Sequence, residues 1–582
     1  MRVWCSDRAG ALRRLGFAGL LAGLAGGAVA QTAADLTRQA AEFAAGGRKT
    51  IFQLQPLRRA QEAVLADGAA VRLVALNPGV NAWFVLELGP AGKAAASYHI
   101  ENPDPGGQQV DLAPDGGLEL RRDGAATRCD LLSGDAGTIG GAKATVLPFA
   151  PLCDGRLFLR QTTGGARSAR ERVTDFLRDH VWGGDAVVNF VKETFYRDAY
   201  AAYDATLGQG GAPESVAGPL AAPLEPGRAR PVIAGQTGFG LSGAPQGRMA
   251  LGLWYPVAGL DGVFAAALLP GAIDPAILAG PGRANRLDAV EAGATDYFVA
   301  FDLARYTLGF ALGTDHPRLD WSPRPPAAVR LPGLPGPDGL DTARPVVRLG
   351  MVPPWLAGRT VATFAGGFKR HHGAFRWGPL STVNAGSHYG FVEEGAIFSK
   401  LQPGLATLYG LTDGTVGMKT WEPTDDALLP QLGFARQNGV ALVVPDPAGA
   451  GGLPGPLVTQ WGAGNWSGSA EAALRTLRAG ACLQQAEERS YLIYGYFTSA
   501  TPSAMARTFQ AFGCSYAMLL DMNAPELTYL ALYVRQAGLV QIEHLVPEME
   551  IFDRADGKGK VVPRFLGYPD SRDLFYVLRR DR

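Results

Sequence analysis

The sequence predicts an α+β protein: a β-rich N-terminal region carrying a helical insert, then a C-terminal domain of mixed strands and helices. Three observations carry that expectation. Short apolar runs, alternating or continuous, recur between Gly, Pro and Asn turns, as strands do. Helical spacing is confined to a few segments, above all 168–204 and 502–513. The chain holds 77 Gly and 41 Pro in 582 residues, which favours short strands and many turns over long helices.

In chain order, residues 1–30 read as a cleavable signal peptide. Arg2, Arg8, Arg13 and Arg14 form a basic lead, and Leu15–Ala30 is apolar. Ala28-Val29-Ala30 then presents the small residues that a signal peptidase accepts. The apolar run is rich in Gly and Ala and shorter than the roughly 20 strongly apolar residues of a membrane span. The mature chain is therefore expected in the periplasm or outside the cell, with no stable membrane span after cleavage.

Residues 31–206 are expected to form the β-rich N-terminal domain. Residues 31–48 read as a short helix or loose lead, and AVRLVAL, NAWFVLEL and RLFLRQT between about 50 and 165 read as strands. Helices are expected over 168–204. There Ser168 and Glu171 are placed as a capping pair, and Val173, Phe176, Leu177 and His180 recur at helical spacing. Residues 207–230 are rich in Gly, Pro and Ala without periodicity and read as a linker. A β-rich connecting region (231–293) leads to the C-terminal domain, 294–582. Its segment 296–312, DYFVAFDLARYTLGFAL, reads as two strands. TSATPSAMARTFQAFG reads as a helix begun at a Thr/Ser cap, with Pro502 in its first turn and Met505, Phe509 and Phe512 in the core.

Removing residues 1–30 takes four arginines and one aspartate, so the formal charge falls from 0 to −3. No basic field remains to hold a nucleic acid. Four cysteines survive cleavage, in two local pairs. In an oxidising compartment they suggest disulfides Cys129–Cys153 and Cys482–Cys514, although three connectivities are open and buried thiols are the alternative. A metal site is not expected, because no spacing is of the CxxC type and no His lies near either pair. No cofactor is implied.

Three stretches concentrate the chemistry. In TFAGGFKRHHGAFRWG, Gly366-Gly367 follows an apolar strand and implies a tight turn or close backbone approach. Lys369 and Arg370 place two cations beside it, which suits a phosphate or another oxyanion; a surface turn with solvated charges reads the same way. His371 and His388 lie close by, with Asn384 between them, as candidate proton carriers and substrate contacts. In SYAMLLDMNAPELTYLALY, a strand apolar on both faces delivers Asp521 and Asn523, and Pro525 forces a loop carrying Glu526. Carboxylates so placed suit acid/base work, while an Asp that caps its own turn is the plainer reading. In QWGAGNWSGSAEAAL, Trp461, Asn465 and Trp466 lie in a Gly/Ser loop, either as a sugar-stacking surface or packed inward.

The order of these elements over about 294–552 resembles the phosphodiester glycosidase domain, the catalytic domain of the enzyme that uncovers mannose 6-phosphate by removing N-acetylglucosamine from a phosphodiester. DYFVAFDLARYTLGFAL is similar to that family's opening strand, ATFAGGF to its Asn-Gly-Gly-Phe strand end, and YGLTDGTVGM to its following Gly-rich segment. ERSYLIYG, the 502–513 helix and LLDMNAPELTYL occupy the places of its last motifs. Ala365 replaces the Asn before the double glycine, Arg489 stands six residues before Gly495 where the family has four, and Met522-Asn523-Ala524-Pro525 replaces a glycine-rich run. Gly366, Gly367, Phe368 and Asp521 match position for position, and Arg489 loosely. The resemblance implies an exported hydrolase of a sugar-phosphodiester or related envelope glycan. Asp521, Glu526, His388 and His371 are then catalytic candidates. Gly366, Gly367, Phe368, Lys369, Arg370, Asn384, Arg489, Asn523, Trp461 and Asn465 are substrate contacts. The alternative is a non-catalytic periplasmic glycan-binding or scaffolding protein on the same fold.

Overall fold

A computed structural model describes residues 59–76, 81–90, 96–132, 138–144, 149–160, 172–173, 198–203, 206–209, 218–227, 230–234, 237–244, 248–313, 350–368, 390–393, 395–399, 401–449, 451–459, 474–536, 538–555 and 559–580. The first thirty residues and most of the expected helical insert, 168–204, lie outside them.

Within the described residues the protein is predominantly β, which corrects the α+β expectation. Every pairing between its strands is antiparallel. Helical spacing does mark a real helix at 502–511, and most of the other described elements are strands. Among the described residues the longest α-helix, Pro502–Ala511, spans 10 residues and is closed off by Gly513 with φ +69°.

The N-terminal unit contains β1 (Arg59–Val64), β2 (Ala69–Ala75), β3 (Trp83–Pro90), β4 (Ala96–Glu101), β5 (Gln108–Leu112), β6 (Leu118–Arg122), β7 (Ala125–Cys129), β8 (Phe149–Leu152) and β9 (Leu157–Arg160). One sheet runs β1-β2-β3-β4-β9-β8, and β5-β6-β7 form a second. Alternation sets the faces: in β2, Val71 and Leu73 are buried while Arg72 between them points to solvent. A core of fifteen buried residues, including Leu86, Ile100, Leu118 and Leu152, lies between the sheets. Cys129 and Cys153 are bridged there, with Cα atoms 5.5 Å apart.

Three sheets build the C-terminal unit. Its strands are β10 (Tyr255–Pro256), β11 (Val263–Leu268), β12 (Asp296–Asp302), β13 (Tyr306–Ala311), β14 (Thr360–Ala365), β15 (Phe391–Glu393), β16 (Ala396–Ser399), β17 (Ala406–Leu411), β18 (Val416–Thr420), β19 (Leu432–Gln437), β20 (Ala441–Pro445), β21 (Gly452–Pro454), β22 (Thr476–Ala486), β23 (Arg489–Ala500), β24 (Cys514–Met522), β25 (Leu530–Gln536), β26 (Leu539–His544) and β27 (Leu574–Arg579). An eight-stranded sheet has the order β10-β11-β12-β23-β22-β24-β20-β21. Two five-stranded sheets follow, β13-β27-β14-β25-β26 and β16-β15-β19-β17-β18. The 296–312 segment does form two strands, β12 and β13, but they enter different sheets. All seven residues of β12 are buried, so it reads as one apolar run.

Helix α1 (Pro502–Ala511) covers the eight-stranded sheet. The Thr501 side chain caps it by accepting from Ala504 N–H, Pro502 sits in its first turn, and Met505 and Phe509 are buried. Phe509, Phe298, Phe497 and Phe512 meet with ring centroids 4.7–6.3 Å apart. Cys482 on β22 and Cys514 on β24 are bridged between neighbouring strands, with Cα atoms 5.9 Å apart.

Part of the expected linker packs tightly: Ala222 is fully buried, and Leu220 N–H donates to Gln484 Oε1 at 2.9 Å. No helix of the described residues is long and apolar enough to cross a membrane.

Candidate functional site

Four strand ends converge where the three C-terminal sheets meet. β14 ends in Gly366-Gly367-Phe368, and the chain there runs tight against its neighbours. Gly366 N–H donates to Asp573 O at 2.8 Å, and a Cβ on Gly367 (φ +141°) would lie 2.9 Å from the Asn438 amide. A side chain at Gly367 therefore meets both backbone strain and a clash. The expected close backbone approach is thus real, and what is approached is Asn438.

Asn438 sits where the chain crosses from β19 in one sheet to β20 in another. β20 pairs with β24 only as far as Met518, which leaves the next carbonyls of β24 without a strand partner on that side. Asn438 Nδ2 fills the gap, donating to Leu519 O (2.8 Å) and Leu520 O (2.7 Å). Its Oδ1 accepts from Phe368 N–H at 3.2 Å. One side chain therefore ties the double-glycine turn to the strand that carries Asp521.

Two buried ion pairs complete the centre. Arg436 and Asp573 are both fully buried and bonded Nε to Oδ2 at 3.0 Å. Arg436 Nη2 also donates to Phe368 O at 2.5 Å, and Asp573 Oδ1 accepts from Gly313 N–H at 2.9 Å. Asp521 Oδ2 lies 2.5 Å from Arg572 Nη1, and its Oδ1 accepts from Met522 N–H at 2.8 Å. Burial of charge is tolerated here because each guanidinium faces a carboxylate and further polar groups. Arg564 and Asp570 form a third pair at 2.9 Å, and Arg564 also donates to the Glu526 carbonyl. Ser571 Oγ, between Asp570 and Arg572 in sequence, is buried and has no hydrogen-bond partner among the described residues. Burial pushes the Tyr494 hydroxyl pKa well up, with Tyr496 and Asp521 adding to it, so Tyr494 stays protonated and donates to Thr528 O at 2.7 Å.

Of the residues singled out from sequence, Gly366, Gly367, Phe368 and Asp521 are brought together. Asn523 lies just past the end of β24, in the left-handed region (φ 81°), with Thr476 Oγ1 3.2 Å from its Oδ1. Glu526 is half-buried. Arg489 is not brought in. It opens β23 opposite Ala486, whereas Asp521 lies by Arg478 at the other end of β22, about 25 Å away at strand rise. Its guanidinium is mostly exposed, 3.6 Å from Asp302. Lys369, Arg370, His371, Asn384, His388, Trp461, Asn465 and Trp466 lie outside the described residues. No group of three or more His, Cys, Asp or Glu among the described residues is arranged to hold a metal ion.

Sequence reasoning missed Arg436, Asn438, Arg572 and Asp573. Their one sequence signal is position: FARQN follows an apolar alternation, and DSRD directly precedes the apolar run LFYVL. A charged tetrapeptide beside a strand ordinarily reads as a solvated turn.

No protein-family model matches the chain, and no curated protein does. Among solved structures it is similar to the catalytic domain of zebrafish N-acetylglucosamine-1-phosphodiester α-N-acetylglucosaminidase, auto-inhibited by its pro-peptide. That likeness has 10% identity and a TM-score of 0.27 over 56% of this chain and 85% of that one. A hypothetical protein from Synechocystis matches at 10% identity and TM-score 0.22, over 89% of this chain and 99% of that one. Both likenesses are too weak to define fold or activity.

Proposed function

We propose that the chain is an exported hydrolase of a sugar-phosphodiester or a related envelope glycan ester. One observation carries the reading: the double-glycine turn, Arg436, Asn438, Arg572 and Asp521 meet at strand ends in a water-poor centre. In such a site fixed guanidinium groups and amides stabilise charge that develops on an ester oxygen. Asp521, held by Arg572, is the acceptor that would orient a sugar hydroxyl or take its proton. Two disulfides, together with the signal-like residues 1–30, support export.

The second reading, a non-catalytic glycan-binding protein of the cell envelope, is favoured by the mutual pairing of Arg436 with Asp573 and Arg572 with Asp521. Incubating the purified mature chain with aryl phosphodiester-linked sugars separates the two. The hydrolase reading expects turnover, lowered on the order of 10²–10⁴-fold in Asp521→Asn. Binding without turnover selects the second reading, and equal turnover by both proteins removes Asp521 from the chemistry.

A further inference from the structure

Among the described residues, the N-terminal unit packs against Met351, which is fully buried. Met351 belongs to neither large core. It forms a separate cluster with Leu76, Ala82 and Trp83 of the N-terminal unit. Arg160, at the end of β9, donates Nη1 to Met351 Sδ and stacks 5.6 Å from the Trp83 ring centroid. Glu101 at the end of β4 holds Arg160 at 2.6 Å, with both side chains at most 5% exposed. The other described ion pairs of this unit are far more open to solvent. A buried pair is costly unless it serves a defined packing, and here it backs the grip on Met351.

From Met351 the contacts run straight to the centre. Gly350 takes a left-handed turn (φ 63°), its N–H donates to Leu312 O at 2.8 Å, and its carbonyl accepts from Asp570 N–H at 2.7 Å. Val352 N–H donates to Phe565 O at 2.7 Å. Asp570 Oδ1 in turn accepts from Arg572 N–H at 2.9 Å, and Arg572 is the partner of Asp521.

We propose that Met351 is a positioning residue, gripped by Trp83, Arg160 and Glu101 of the N-terminal unit, and that this grip sets the Arg572–Asp521 pair through Gly350 and Asp570. The N-terminal unit is then a brace for the site. Only the description of that pair as part of a hydrolase site rests on the functional reading; the coupling itself needs no substrate.

Amide hydrogen exchange on the full mature chain tests it with no ligand present. In Met351→Ala the Asp570 and Arg572 amides exchange on the order of tenfold faster, while β12 and β23 stay protected. Trp83→Leu, which leaves the C-terminal sequence intact, reproduces the effect, and Met351→Leu, which keeps the packing but lacks the sulfur that accepts from Arg160, falls between Met351→Ala and wild type. Faster exchange confined to β3 and β9, with Asp570 and Arg572 unchanged, overturns the coupling. So does a uniform rise across β12 and β23, which marks general destabilisation. Absence of turnover on sugar phosphodiesters by the wild-type chain, with the exchange pattern as expected, would count against the hydrolase reading alone.

Discussion

In the N-terminal unit every described arginine but Arg160, which is buried with Glu101, sits at the surface. Arg72 bridges Glu62 and Glu87 with 46% of its side chain exposed, and Arg122 reaches Asp104 with 64% exposed. In the C-terminal unit Arg436 and Asp573 are wholly enclosed, and Arg572, Asp521, Arg564 and Asp570 nearly so. The same pair of residue types therefore does different work. Water screens the first set, so each pair adds little to stability. The second set fixes where strand ends meet, and losing one partner leaves an uncompensated charge in the interior.

That contrast breaks most sharply at Arg436. Arg436→Ala is expected to cost about 3–5 kcal/mol in urea unfolding of the C-terminal unit. A cost below 1 kcal/mol would mean that water reaches Asp573. Reduction of the disulfides acts on both units alike, because the loops of 24 and 32 residues are similar; each bridge contributes about 3.5 kcal/mol in the chain-entropy account. The unit with the fifteen-residue core is expected to melt first after reduction, giving two transitions in calorimetry where the oxidised protein has closer ones.

Acid sharpens the contrast, because the two units respond with opposite sign. Burial lowers the His99 pKa on β4 to about 4, so the unfolded chain takes up a proton that the folded one refuses. The stability that neutral His99 contributes is complete above pH 6.5 and is lost as pH falls from 6.5 through about 4. His99→Gln should flatten that slope. Asp296 on β12 is fully buried with one carboxyl oxygen unbonded, and burial raises its pKa well above the ordinary value, Thr498 N–H opposing and Glu291 adding. Its folded form holds the proton longer, so this contribution is complete below about pH 4 and is lost as pH rises from there. Asp296→Asn should therefore stabilise the C-terminal unit at pH 8 and change little at pH 4. The smallest effect is expected at Arg72→Ala, about 0–1 kcal/mol and smaller still in high salt.

Local pattern made much of the fold legible. The alternation in AVRLVAL and the continuous run DYFVAFD name their strands because burial on one face or two leaves a direct imprint on sequence. The capped helix after Thr501 was legible for the same kind of reason. The balance of helix and strand was not: a short apolar run between turns can be strand or helix until its partners are known, and among the described residues antiparallel pairing made most of them strands. In the site, Gly366-Gly367 and Asp521 stood out because glycine pairs and a carboxylate ending an apolar strand are locally odd. Arg436, Asn438, Arg572 and Asp573 did not, since what distinguishes them is a partner 51 to 137 residues away.

By itself the sequence determined the strands, the cap of the 502–511 helix and the candidate Asp521, all consequences of chemistry within a few neighbouring residues. It also narrowed the cysteines to local pairs, because short loops close most readily. Only the tertiary structure decided that β12 and β13 part into different sheets, that Arg489 is held far from Asp521, and that Arg436, Asn438 and Asp573 enclose the double-glycine turn. Those outcomes depend on which strand ends are brought together, and a buried charge becomes a site only when folding supplies its counter-charge from elsewhere in the chain.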